Sequence, residues 1–247
     1  MAVIVEANMR LRTRPVHIAT VVATFGDAVR PVNAVMDIRA VADPSLCELI
    51  DRTTIAAVND LTRMGLDETA AALLLIQCDG DAAAEAERCA QACRAAAATE
   101  VYMTTDAVES DGLIRRGVSH CPLSNAAVVR CSTICPCRCP HAGHAPRDHL
   151  NRGRHRLPIG TFGQAAGGNL HPAIVFDAAA AERALRAFDE MVGHCLALGG
   201  SITGEHGVGD LERRHLESMV GSVERTLMNQ AKAVFDPAGI LNPGRAI

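Results

Sequence analysis

The sequence predicts an α+β protein: a ferredoxin-like domain (split βαβ, antiparallel sheet with helices on one face) followed by C-terminal helices. Three observations carry this. Through roughly the first hundred residues, short β-branched runs alternate with longer amphipathic ones as strand–helix–strand, strand–helix–strand. After two strand-like runs near 159–176 the pattern turns entirely helical. The chain has 247 residues, 49% of them hydrophobic, enough to bury a core without disulfide staples. At about 150 residues per domain this is one large domain or two small ones.

Taken in order, residues 3–12 alternate loosely and read as a strand broken by Pro15. Residues 17–25 (HIATVVATF) are β-branched and apolar, a buried strand. Apolar positions Ala28, Val29, Val32, Val35, Met36 and Ile38 suit a helix over 27–40 entered through an Asp cap. A short strand follows at 45–50, then a helix at 52–64 closed by Gly65. Residues 70–78 read as a strand ending at the Asp79-Gly80 turn, 82–97 as an Ala-rich helix and 99–104 as a strand. Beyond the middle of the chain, strands are expected at 159–162 and 171–176. A long amphipathic helix at 178–198 stops at Gly199-Gly200, and one or two helices at 211–233 end at Phe235-Asp236-Pro237.

Composition excludes several classes. With 24 Lys+Arg against 28 Asp+Glu, the net charge of −4 carries no footprint for nucleic acid. No apolar run approaches the roughly 18 residues needed to span a bilayer. The N-terminus has no basic region, and Glu6 sits inside what would be a signal's apolar stretch, so a soluble, cytoplasmic chain is expected. Ten Cys in a chain without a signal argue against a disulfide framework. Cys47, Cys78, Cys89, Cys93 and Cys195 lie singly in patterned segments and read as small buried hydrophobes.

Between about 129 and 157 both the 2.0 and 3.6 periods fail. Cys131, Cys135, Cys137 and Cys139, followed by His141 and His144, offer soft ligands, but structural zinc sites pair C-x2-4-C knuckles on two separated arms. Synonymous codons for 134–157 exist whose bases, read one position later, encode an Ala/Leu/Met/Ile amphipathic helix. The stretch 131–157 is therefore read as aberrant, a segment translated out of frame and a disordered or misfolded insert.

Three clusters carry chemistry. In GGNLHP, Asn169 and His171 are two apart and share a strand face, behind glycines that permit close backbone approach. In GGSITGEHGVG, Glu205 suits a metal ligand and His206 a general base. In KAVFDPAGILNPG, a rigid turn presents Asn242. Singly, His171 suits a structural histidine equally well and the glycine runs are ordinary helix stops. No dinucleotide fingerprint is present, because Gly207-Val208-Gly209 lacks the third glycine.

In this order the three clusters resemble the C-terminal domain of the FAD-linked oxidases of the vanillyl-alcohol oxidase superfamily. The similarity is to the group of glycolate oxidase, D-lactate dehydrogenase and D-2-hydroxyglutarate dehydrogenase. It extends back through ATEVYMTTD and ELIDRTTIAAV to VIVEANMRLR. The resemblance implies an FAD-dependent oxidoreductase oxidising a small D-2-hydroxy acid by hydride transfer to flavin. His206 is then the catalytic base, Asn169 faces substrate, and Gly168 and Asn242 lie at the cofactor. His171 and Glu205 bind a divalent, zinc-like metal. Gln164 stands where the family has a first metal-binding His, and Gly167 where it has Asp, which weakens that site. Substrate-anchoring arginines are expected just before the aberrant stretch, at Arg115 or Arg116. The implied organisation is the end of an FAD-binding domain at 1–14, a cap or substrate domain at 15–205 and a helical segment at 206–247 completing the flavin site. The chain then reads as about half of a full-length member, with a separate FAD-binding domain or subunit as its partner. The alternative is a non-catalytic fragment or subunit that needs this partner.

Overall fold

The computed structural model describes residues 4–11, 13, 15–117, 128–130, 133–134, 155–204 and 206–245. Its centre is an antiparallel sheet in the order β4-β1-β3-β2-β7-β8-β5, with β6 also pairing β8. The strands are β1 (Ala19–Phe25), β2 (Leu46–Asp51), β3 (Ala72–Cys78), β4 (Glu100–Thr104), β5 (Val128–Arg130), β6 (Thr133–Ile134), β7 (Ile159–Gln164) and β8 (Asn169–Val175). The β4-β1-β3-β2 block is the expected split βαβ sheet. The β7–β8 hairpin extends it through β2, with Glu48 opposite Gln164 and Ile50 opposite Phe162.

Alternation decides which helices cover which face. Ala19, Val21, Ala23 and Phe25 of β1, with Leu74, Ile76 and Cys78 of β3, point to one face. There they meet α1 (Arg30–Val41) and α3 (Ala82–Ala95) through Ala34, Val35, Ile38, Ala86, Cys89 and Cys93. Ala and Cys at these contacts let the two crossover helices sit close to the sheet. Helices are expected on one face only, but the sheet carries them on both. The intervening residues Val22, Ile50, Leu73 and Leu75 face the other way, against α2 (Arg52–Thr62) and α4 (Ala107–Gly117) through Ile55, Leu113 and Ile114.

The local signals act in part as expected. The helix expected from residue 27 instead begins at Arg30 with Val29 at its N-cap and no side-chain cap; Asp27 accepts from the amides of Val29 and Arg30 at 2.8 and 2.9 Å in the turn before it. The Asp51 carboxylate accepts from Thr54 N at 2.9 Å and starts α2. The exit of α2 falls before the expected Gly65: Arg63 is the left-handed cap at φ +53°, and Asn59 donates to Leu66 O and accepts from Leu66 N to hold the loop beyond it. A further expectation fails. Residues 4–11 form no strand: they have no regular structure, and Ile4, Val5, Met9 and Leu11 stand open to solvent. Loose alternation without a neighbouring strand to accept its amides does not make a strand.

A second core lies under β8. A 3-10 turn at Ala178–Ala180, capped by Asp177, leads into α5 (Ala181–Ala197). The buried stripe Ala184, Ala187, Phe188, Met191, Val192 and Cys195 packs α5 on Ile174 and Leu157. The short helix α6 (Asp210–Arg213) and the long α7 (Leu216–Phe235) join this core through Leu211, Leu216 and Met219. The predicted one or two C-terminal helices are thus two, and α7 is kinked at Gly221, whose φ is +86°. Among the described residues no helix is long and apolar enough to cross a membrane. The Cys131–His144 cluster lies outside the described residues, as does most of the stretch 131–157. At its end Leu157 is buried in the α5 core.

Candidate functional site

The β7–β8 hairpin places its polar residues on one face. Directly opposed residues share a face, so the pairs Phe162–His171 and Gln164–Asn169 stand together, with Glu48 of β2 next to Gln164. Leu170, Pro172 and Ile174 point the other way, and Ile174 packs in the α5 core. Asn169 and the Glu48 carboxyl are buried, His171 is half-buried and Gln164 is exposed. The Phe162 and His171 rings lie 5.4 Å apart, so Phe162 braces the imidazole. The strands come this close because Gly163 has no side chain. A Cβ there would lie 2.4 Å from Asn169 O, and its φ is +141°. The turn at 165–168 is tied to β2 by Ala165 N donating to Cys47 O at 2.8 Å, and Gly168 closes it at φ +74°.

The loop after α5 brings His206 to this face. Ile202 is buried in the α5 core and anchors the loop. The Ser201 hydroxyl donates to Thr203 O at 2.9 Å. Gly207 turns the chain at φ +73°. His206 is exposed, and its ring meets that of His171 edge-on, with centroids 5.4 Å apart and planes at 83°. Two imidazoles far apart in sequence thus share one spot on the surface. The Thr203 hydroxyl is buried and has no hydrogen-bond partner among the described residues.

The C-terminal turn is fixed by one carboxylate. Asp236 accepts from Ile240 N at 2.9 Å and Leu241 N at 3.0 Å, and from Lys232 Nζ at 2.7 Å. Lys232 Nζ also donates to Leu241 O at 2.9 Å. The Lys232 ammonium and these amides hold the Asp236 carboxyl below the usual Asp range. The clamp sets Asn242 in the left-handed region at φ +46°.

Of the residues expected from sequence, Asn169, His171 and His206 are brought to one place. Gly168 lies in the adjoining turn, and Asn242 is held on the separate C-terminal turn. Glu205 lies outside the described residues. Arg115 is spent on Asp111, one turn away on exposed α4, at 2.7 Å, and the side chain of Arg116 lies outside the described residues. Of the two residues expected to bind a divalent metal, His171 lies on the site face and Glu205 lies outside the described residues. No group of three or more His, Cys, Asp or Glu that could hold a metal ion occurs among these residues, and the exposed Gln164 amide is a poor ligand. A bound organic group fits, because a buried hydroxyl without a partner, Thr203, sits in the loop that carries an exposed imidazole. Sequence reading missed Phe162, Glu48 and Thr203. The first two were findable only through the register of β7 against its neighbours.

Residues 14–246 match the family described as FAD linked oxidases, C-terminal domain. The chain is 30% identical to glycolate oxidase subunit GlcD of Bacillus subtilis (strain 168), over 99% of this chain and 54% of that protein. It is 31% identical to the GlcD subunit of Escherichia coli (strain K12), over 100% and 51%. It is 27% identical to a D-lactate dehydrogenase of Archaeoglobus fulgidus, over 100% and 55%. The chain thus spans about half the length of these relatives. An alkyldihydroxyacetonephosphate synthase shares the fold at a TM-score of 0.53 and 13% identity, covering 93% of this chain and 45% of its own.

Proposed function

This chain belongs to the FAD linked oxidases, as their C-terminal domain, and from that premise we propose that it is the C-terminal portion of an FAD-dependent oxidoreductase acting on a small D-2-hydroxy acid of the glycolate or D-lactate type. The observation that carries the reading is the His171–His206 pair, edge-on at 5.4 Å beside buried Asn169. When bound, FAD supplies the acceptor for two electrons.

The rest is the work of this chain's residues. His206, exposed and turned out by Gly207, takes the proton of the substrate hydroxyl. His171, braced by Phe162, limits the positions that the His206 ring adopts. Asn169 offers an amide donor and a carbonyl acceptor to the polar end of the substrate. Its burial gives that hydrogen bond a low-dielectric setting and orients it in advance. Gly168, Thr203 and Asn242 are the residues through which this chain would hold the cofactor.

The remaining part of the cofactor site is supplied by a flavin-binding domain, in the same polypeptide or a separate subunit. The exposed apolar residues of α7 and the C-terminal turn, Val223, Leu227, Val234, Phe235, Ile240 and Leu241, support such a covering partner. They equally support the second reading, a non-catalytic subunit that docks on that partner.

The test is anaerobic mixing of the chain, assembled with its flavin-binding domain, with glycolate, D-lactate and D-2-hydroxyglutarate. Bleaching of the flavin absorbance by at least one acid is expected. A folded, flavin-loaded assembly that none of them bleaches would refute the catalytic reading.

A further inference from the structure

We propose that α6 is a strut that fixes the His206 loop relative to the Asn242 turn, with Glu212, Asp210 and Arg213 as positioning residues. The proposal deepens the function proposed above, since it matters for catalysis only if His206 and Asn242 serve one site.

The helix is a single turn, yet its side chains tie it to the residue that ends the loop and, twice, to the C-terminal turn. Toward the loop, Gly209 is the N-cap of the helix: Glu212 Oε2 accepts from Gly209 N at 3.1 Å and Arg213 N donates to Gly209 O at 3.1 Å, so the last residue of the loop is built into the turn. Toward the C-terminal turn, Arg213 Nη1 donates to Gly244 O at 3.2 Å, and Asp210 pairs with Arg245. Arg245 N in turn donates to Asn242 O at 3.1 Å, closing that turn on itself. Below, Val208 and Leu211 pack against the α5 core. Just past the helix, Arg214 Nη2 and His215 Nε2 both reach Asp189 Oδ1 of α5 at 2.7 Å.

The Asp210–Arg245 and Arg214–Asp189 pairs are exposed, and each contributes little to stability alone, about 0–1 kcal/mol. Their directions matter more than their strengths. One rigid turn, seated in the core, holds the end of the loop through Glu212 and the C-terminal turn through Asp210 and Arg213. Displacing either end moves the other. A misplacement of about 1 Å at a reacting group costs up to about 100-fold in rate.

The test uses the labelled full-length chain and its NMR spectrum. Arg213→Gln is expected to shift the ring resonances of His206, and Glu212→Gln to shift the amides of Leu241 and Asn242. Arg213→Lys restores the His206 signals. Arg186→Gln, exposed on α5, changes neither set. If Arg213→Gln moves only residues near Gly244 and leaves His206 in place, the two segments are independent and the proposal falls. Asp210→Asn gives the same reading through the second tie, should Arg213→Gln fold poorly. In the flavin-loaded assembly Arg213→Gln and Glu212→Gln are expected to lower kcat up to about 100-fold with KM unchanged. Loss of KM instead of kcat overturns the positioning role. An inactive wild-type assembly sinks the proposed function alone, because the NMR relay is read without turnover.

Discussion

Gly163→Ala probes the closest backbone approach in the candidate site. The added Cβ would lie 2.4 Å from Asn169 O, and 3.0 Å from both Leu170 Cα and His171 Cδ2. Two of these three atoms are backbone, so no rotamer relieves the contact. Opening it to 3.0 Å, the least that real Cβ atoms tolerate, moves β7 and β8 apart by about 0.6 Å. A left-handed or otherwise sparse φ costs an L-residue about 1–3 kcal/mol, and forcing an extra methyl into a packed site about 1–3 kcal/mol. The variant should therefore lose about 2–6 kcal/mol. Urea unfolding measures this: with m of about 1–3 kcal/mol/M, the midpoint falls by about 1 M or more. Gly193→Ala is the matched control. It lies within α5 with no atom within 4 Å of the added methyl, and should stabilise by about 0.5–1 kcal/mol through helix propensity. A Gly163→Ala midpoint equal to wild type would refute the claim that the hairpin depends on this contact.

Other outcomes follow from the same geometry. Phe188→Ala removes a fully buried ring from the α5 core and should cost about 3–5 kcal/mol, read by the same unfolding curve. The native Asp236 carboxyl is held below its unfolded value, so its contribution is complete above the ordinary Asp pKa of about 3.9 and fades as pH falls through the native pKa. Amide exchange at Ile240 and Leu241 in wild type and Asp236→Asn should accordingly differ at pH 7 and converge in strong acid. Protection equal at pH 7 would count against the clamp. Burial pushes the Cys93 thiol up to about 12, so iodoacetamide at pH 8 should leave it unmodified until urea unfolds the chain; labelling at the unfolded rate would show the core to be open.

The fold was legible where one element's own pattern suffices. The β-branched run of β1 and the apolar stripe of α5 each announce themselves locally. Residues 4–11 show the limit of this, because alternation predicts a strand only where a neighbour pairs with it. The helix α4 went unread because its apolar Leu113 and Ile114 are adjacent, and its packing against β1 and β3 is a tertiary fact. The site divides in the same way. His206 and Asn169 carry their chemistry in their residue types and were singled out from sequence. Glu48 and Phe162 look like ordinary strand residues until the register sets them beside Gln164 and His171. The Asp236 clamp was equally hidden, since Asp236-Pro237 reads as a helix stop while the carboxylate holds two later amides.

His206 as proton acceptor is tested by the single-turnover rate of flavin bleaching by D-lactate, and by glycolate, in the flavin-loaded assembly with wild-type chain and with His206→Gln. A rate lower by about 10²–10⁴-fold is expected, with the substrate concentration giving half-maximal rate unchanged. Bleaching by His206→Gln at the wild-type rate would contradict the assignment, and would place the proton acceptor elsewhere.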